Sequence, residues 1–200
     1  PAVGVMIVCS GASEKQLTDM LNTLDKYGVK GTFYVTGDFV RRNPERIQRI
    51  IDAGHELGSH GNNLINMTEV SYARVQENIR ELNDLCEETF GVRPRLFCAH
   101  LGATNSIVTA IARAEGVEDC LFAIDACDWS DAYKDKVYQM VYRVTSDRVT
   151  SGCVVQFHIN GYHTAEVLDK ALDNWINVKG LRPVCLLYTS PSPRDTERSR

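Results

Sequence analysis

The side chains of this chain that could act as metal ligands, nucleophiles or acid–base groups collect in five short stretches. These are Cys9-Ser10-Gly11, His60-Gly61-Asn62-Asn63, Cys98-Ala99-His100, Asp125 to Trp129, and His158. Imidazole, thiolate and carboxylate are the donors that a zinc-like divalent ion takes, and a cysteine beside a histidine can also serve as nucleophile and base. Taken singly, a histidine in such a place is usually a surface or hydrogen-bonded side chain. The stretches gain meaning from their shared position, because each follows an apolar run that reads as a β-strand.

Those runs alternate with helical patterns along the chain. Ala2 to Val8 is continuously apolar, as a strand buried on both faces of a parallel sheet must be. Ser13 with Gln16 makes a capping box for a helix carrying Leu17, Met20, Leu21 and Leu24 at helical spacing, and Gly28 ends it. Gly31 to Val35 reads as the next strand. Pro44 then opens a helix with Ile47, Ile50 and Ile51 on one face, and Glu56 to Ser59 is a short strand. Thr68 is the expected cap of a long helix to about Thr89, followed by a strand over Arg95 to Cys98. Further on, helices are expected over Ser106 to Ala114, Tyr133 to Val144 and Thr164 to Val178. Strands are expected over Cys120 to Ile124, Cys153 to Phe157 and Leu181 to Val184. Regular alternation implies a parallel sheet with helical crossovers, either doubly wound or closed as a barrel. In both, functional groups sit where the strands end at their C-termini, which is where the five stretches fall.

The chain has 200 residues, 44% of them hydrophobic and 24% charged, which suits one domain with its own core. A net charge of -4 excludes the clustered basic face of a nucleic-acid binder and favours neutral or cationic partners. No apolar run approaches the roughly 20 residues that span a bilayer, so no membrane segment is visible. Seven cysteines show no CxxC pairing and read as buried thiols. The chain enters an apolar run without an initiating Met, which suggests an incomplete N-terminus.

The connecting sequence resembles the polysaccharide deacetylase family, or NodB homology domain, over nearly all of Pro1 to Val184. Leu24 to Gly37 (LDKYGVKGTFYVTG) is similar to the stretch after the family's first motif, and Ile50 to His60 (IIDAGHELGSH) to the approach to its second. Phe97 with Gly102-Ala103, Asp125 with Asp128-Trp129, and Gly152 to His158 fall at its third, fourth and fifth motifs. The resemblance implies an α/β fold, a distorted (β/α) barrel, in one domain over 1–184. It also implies hydrolysis of acetamido or acetyl groups on chitin, peptidoglycan or xylan, in a secreted or cell-surface setting. In such a site a divalent, zinc-like metal held by one Asp and two His polarises the carbonyl, a second Asp is the base and a late His the acid.

Residue by residue the motifs are depleted. Where the family has TFDDGP this chain has Ile7 to Ala12, so Cys9 takes the base position and Ser10 that of the metal-binding Asp. His60 keeps one metal-ligand position, but the second histidine is replaced by Leu64, and the motif-three Arg by Cys98. His158 and Asp128 survive as the late acid and the motif-four carboxylate, and Trp129 is the expected sugar-contacting residue. One imidazole and a hydroxyl bind a divalent ion weakly. The expectation is therefore a deacetylase-like protein impaired in the usual mechanism, with a carbohydrate polymer or oligosaccharide as partner. The alternatives are a hydrolase rebuilt on Cys9, His60, Cys98, His100 and His158, or a non-catalytic glycan-binding or scaffold domain. From Cys185 the string CLLYTSPSPRD back-translates to the transposase adapter of sequencing libraries, so 185–200 is expected to be adapter read-through without structure.

Overall fold

In a computed structural model, which describes residues 1–189, the apolar run Ala2–Cys9 forms β1, buried from Val3 onward. Ser13 Oγ accepts the Gln16 N–H at 3.1 Å while Gln16 Oε1 accepts the Ser13 N–H at 2.9 Å, and this capping box starts α1 (Glu14–Lys26). Next come β2 (Thr32–Val35), a short α2 (Gly37–Arg42), α3 (Pro44–Asp52) with Pro44 in its first turn, and β3 (Glu56–Ser59). The chain continues through α4 (Tyr72–Phe90), β4 (Leu96–Phe97), α5 (Ser106–Ala114), β5 (Glu118–Asp119) and β6 (Ile124–Asp125). It closes with α6 (Val137–Thr145), β7 (Val154–His158), α7 (Thr164–Asp173), β8 (Arg182–Val184) and α8 (Leu186–Thr189).

Every strand pair is parallel, in the order β5-β4-β3-β2-β1-β7-β6, with β8 added along Ala2 to Gly4 of β1. Period-two alternation divides β1 between two cores. Val3, Val5, Ile7 and Cys9 pack into the helix layer with Leu17, Met20 and Leu24, whereas Met6 and Val8 join Tyr34, Leu96 and Cys98 on the other face. Cys120 and Phe122, from the connection between the two sheet edges, pack against that second group. The sheet therefore curls around its own apolar face as the distorted (β/α) barrel expected, left open between β5 and β6.

Four local expectations change. Cys120 to Ile124 is not one strand: the chain pairs with β4 just before it and with β7 at its end, because the two ends serve opposite edges of the open barrel. Ser71, not Thr68, caps α4, accepting the Arg74 N–H at 3.2 Å, while the Thr68 hydroxyl donates to Asn66. α6 begins at Val137, after a separate turn over Asp131–Tyr133. The helix after Thr164 widens into a π-turn at Asn174–Val178, where the buried Trp175 donates its indole N–H to the Val144 carbonyl at 2.7 Å.

Order also extends beyond Val184. Leu186 is buried with Met6, Val8 and Tyr34, its N–H donating to Thr32 Oγ1 at 2.8 Å. The apolar interior of the curled sheet accounts for this, since it offers a leucine a water-free seat whatever the sequence around it. The expectation for 190–200 lies outside the described residues.

Candidate active-site cleft

Parallel register places Cys9, Val35, Ser59, Phe97 and Asp119 in one row across the sheet, and the residues that follow form the rim of its C-terminal end. A cleft of about 390 Å³ opens there. Ser10, His60, Leu64, Asp125, Trp129 and His158 all line it.

His60 sits at the end of β3 and is only 5% exposed. Its Nδ1 lies 2.8 Å from the Cys98 carbonyl oxygen, which can only accept, so Nδ1 carries the proton and Nε2 keeps its lone pair. The Cys98 thiol lies 3.1 Å from the same nitrogen. Burial, with smaller contributions from His100 and His158, pushes His60 down to about 4 against the opposing Cys98 bond. The ring is therefore neutral at pH 7. His100, whose ring centroid is 6.0 Å away, is also lowered by burial.

His158 ends β7 and is oriented by a carboxylate far off in sequence. Asp128 is fully buried, and its oxygens accept the His158 Nδ1–H at 2.9 Å, the His158 backbone N–H at 2.8 Å and the Thr164 hydroxyl at 2.8 Å. This leaves His158 Nε2 as the ring's unspent nitrogen in a cleft residue, an arrangement suited to general acid or base work. Asp128 itself does not reach the cleft wall and acts as a positioning residue. Gly161 makes that close packing possible: a Cβ there would stand 2.8 Å from the Asp128 carbonyl oxygen and 2.9 Å from its carboxyl carbon.

The loop after β6 supplies the exposed side of the cleft. Asp125 accepts the Cys127 N–H at 2.9 Å and the Trp129 indole N–H at 2.8 Å, which fixes the indole edge while 58% of Trp129 remains exposed. Cys127 adopts φ 59°, a left-handed conformation that side chains disfavour and that the tight Asp125-to-Asp128 turn requires.

The structure brings the sequence candidates Ser10, His60, Leu64, Trp129 and His158 together around one cleft, with Asp128 just beneath it. Asp125, named with the fourth motif but given no role, also lines the wall, and Gln156 and Asn160 were missed. Gln156 had a readable signal, lying two residues before His158 on the same strand face; Asn160 had none. Geometry removes Cys9 from the cysteine–histidine alternative. Cys9 is fully buried in the helix-side core, because residue parity on β1 turns it away from Val8 and Ser10. Burial raises the Cys9 and Cys98 thiols, so neither is poised as a thiolate.

The donor set also decides how a metal would fare. In the same cleft as His60, the two positions that the resemblance assigned to further ligands offer a hydroxyl, Ser10, and an alkyl group, Leu64. Among the described residues the one group of possible ligands is Asp125, Asp128 and His158, whose donor atoms lie within 4.8 Å of one another. There Asp128 is sealed from solvent by three donors and His158 Nδ1 is spent on it. Neither set fits an open divalent site.

Fold and cleft together define a curled parallel α/β barrel with its chemistry at the strand C-termini. The family model described as polysaccharide deacetylase matches residues 10–119, and the chain belongs to this family. YlxY of Bacillus subtilis is 31% identical over 180 residues, covering 90% of this chain and 54% of that protein. The peptidoglycan-N-acetylmuramic acid deacetylase PdaA of the same species is 26% identical over 155 residues, covering 76% of this chain and 58% of that one. Among solved structures, a CE4 family pseudoenzyme from Bacillus anthracis superposes with a TM-score of 0.85 at 22% identity, over 94% of this chain and 64% of its own. The peptidoglycan deacetylase PdaC from B. subtilis gives 0.82 at 22% identity, over 99% and 92%. The chain spans 54% to 62% of the length of YlxY, PdaA and a 30.6 kDa Geobacillus stearothermophilus protein.

Proposed function

We propose that this domain binds an amino-sugar polymer of the chitin or peptidoglycan class in its cleft without the family's metal-dependent hydrolysis. One observation carries the reading: Ser10 and Leu64 stand beside His60 in a cleft that keeps Trp129 and the His158–Asp128 pair. The cleft offers an exposed aromatic and an oriented imidazole, while the side chains that would hold a metal-bound nucleophile are absent from the positions the resemblance assigns to them. General acid–base catalysis contributes about 10²–10⁴-fold, and the metal normally supplies the nucleophile as well, so loss of the ligand set removes most of the rate. The names of the relatives PdaA and PdaC point to peptidoglycan, and that of the Bacillus anthracis neighbour to a member without activity.

The test is elemental analysis of the purified protein with acetate release and calorimetric binding of chitooligosaccharides measured on the same sample. Binding without metal or acetate release supports the proposal. Near-stoichiometric metal with chelator-sensitive acetate release overturns it. A second reading, slow metal-free hydrolysis, draws on the oriented His158; chelator-resistant acetate release that His158→Ala abolishes would favour it.

A further inference from the structure

The cleft has an uneven charge. Among the described residues Asp125 is the only Asp, Glu, Lys or Arg in its lining, and the buried Asp128 carboxylate lies within 4.8 Å of the Asp125 carboxylate. Among the lining residues only His158 can answer them with a positive charge, and its Nδ1–H is given to Asp128 at 2.9 Å rather than to Asp125. Arg143 comes near, but its guanidinium Nε donates to the Asp125 backbone carbonyl at 2.9 Å. The positions at Ser10 and Leu64 that the family resemblance assigned to metal ligands carry no charge. The carboxylate has capacity to spare: its oxygens take two N–H donors, Cys127 and the Trp129 indole, against roughly four acceptor positions.

The Trp129 bond adds direction. With its N–H tied to Asp125 Oδ2 and 58% of the residue exposed, Trp129 offers an aromatic surface directly beside a carboxylate. A pyranose stacked there would bring a ring substituent within reach of Asp125. An ammonium at that place adds attraction between opposite full charges to its hydrogen bond with Asp125, whereas the N–H of a neutral acetamide donates to the carboxylate without that attraction.

Given that the cleft binds an amino-sugar polymer, as proposed above, we infer that it selects the N-deacetylated, cationic form of the sugar over the N-acetylated one. The domain would then take the product of the reaction that active members of the family perform, and deacetylation of the glycan must come first.

The experiment compares fully deacetylated and fully acetylated chitin hexamers by calorimetry at about pH 6, where a primary amine is protonated. The deacetylated hexamer is expected to bind about tenfold more tightly. Asp125→Asn should collapse that ratio, whereas Glu88→Gln, which removes an exposed charge on α4, should leave it intact. Equal or tighter binding of the acetylated hexamer overturns the inference and leaves the glycan reading standing. A ratio that survives Asp125→Asn, or that Glu88→Gln collapses equally, overturns it as well. If neither hexamer binds, both readings fall. Should Asp125→Asn not fold, displacement by glucosamine against N-acetylglucosamine on the unaltered protein reads the same preference.

Discussion

Buried imidazoles make His60 and His55 reporters of the native state. His55 Nδ1 accepts the Gly31 N–H at 3.1 Å, so it is unprotonated there, and burial lowers it to about 4, the value His60 also reaches. In both, the folded value lies below the unfolded one, so the unfolded chain binds more protons in between. Stability is then fully present above about pH 6.5 and lost as pH falls toward about 4, by roughly 3 kcal/mol for each histidine. Urea titrations at a series of pH values should show that loss, and His55→Gln/His60→Gln should flatten it. Asp128 makes a different prediction. Asp128→Ala strands the His158 ring, the His158 backbone N–H and the Thr164 hydroxyl, and should cost about 3 kcal/mol in the same assay at pH 7. Both pairings are invisible locally, since His60 meets Cys98, and Asp128 meets His158, only across strands.

Helices and strands were the readable scale. The Ser13–Gln16 box, the Pro44 start and the isoleucine stripe of α3 each act within a few residues, so the local pattern already contains their physics. Ser13→Ala should lower stability by about 1 kcal/mol, seen as a smaller urea midpoint with unchanged slope. The misread elements depend on distant partners. Cys120 to Ile124 has the composition of a strand, yet its neighbours are β4 at one end and β7 at the other, and no local property separates those ends. Thr68 loses the cap to Ser71 because its hydroxyl bonds Asn66 first.

The barrel brings Ser10, His60 and Leu64 to the lining of one cleft, so the proposed absence of a metal site can be tested by building one there. Ser10→Asp with Leu64→His restores the family's carboxylate and second imidazole beside the His60 Nε2 lone pair. The double variant should take up zinc near stoichiometrically, with the unaltered protein as the low-metal reference in elemental analysis. At the C-terminus, re-sequencing the transcript with another library chemistry should replace the chain from Cys185 onward; recovery of the same residues would show them to be native. Leu186 does not prejudge the outcome, because it fills an apolar seat formed by Met6, Val8 and Tyr34.

The sequence by itself determined the alternation of strand and helix and the family, because these are properties of residue type and short spacing. The tertiary structure alone decided which way each side chain faces. Curling of the sheet sends Cys9 outward and Ser10 inward, sets Cys98 against His60, and buries Asp128 under His158 thirty positions away. It also turns Asp125 and Trp129 into the same cleft as His60 and His158. Facing follows from strand register and sheet curvature, which are set by partners far along the chain.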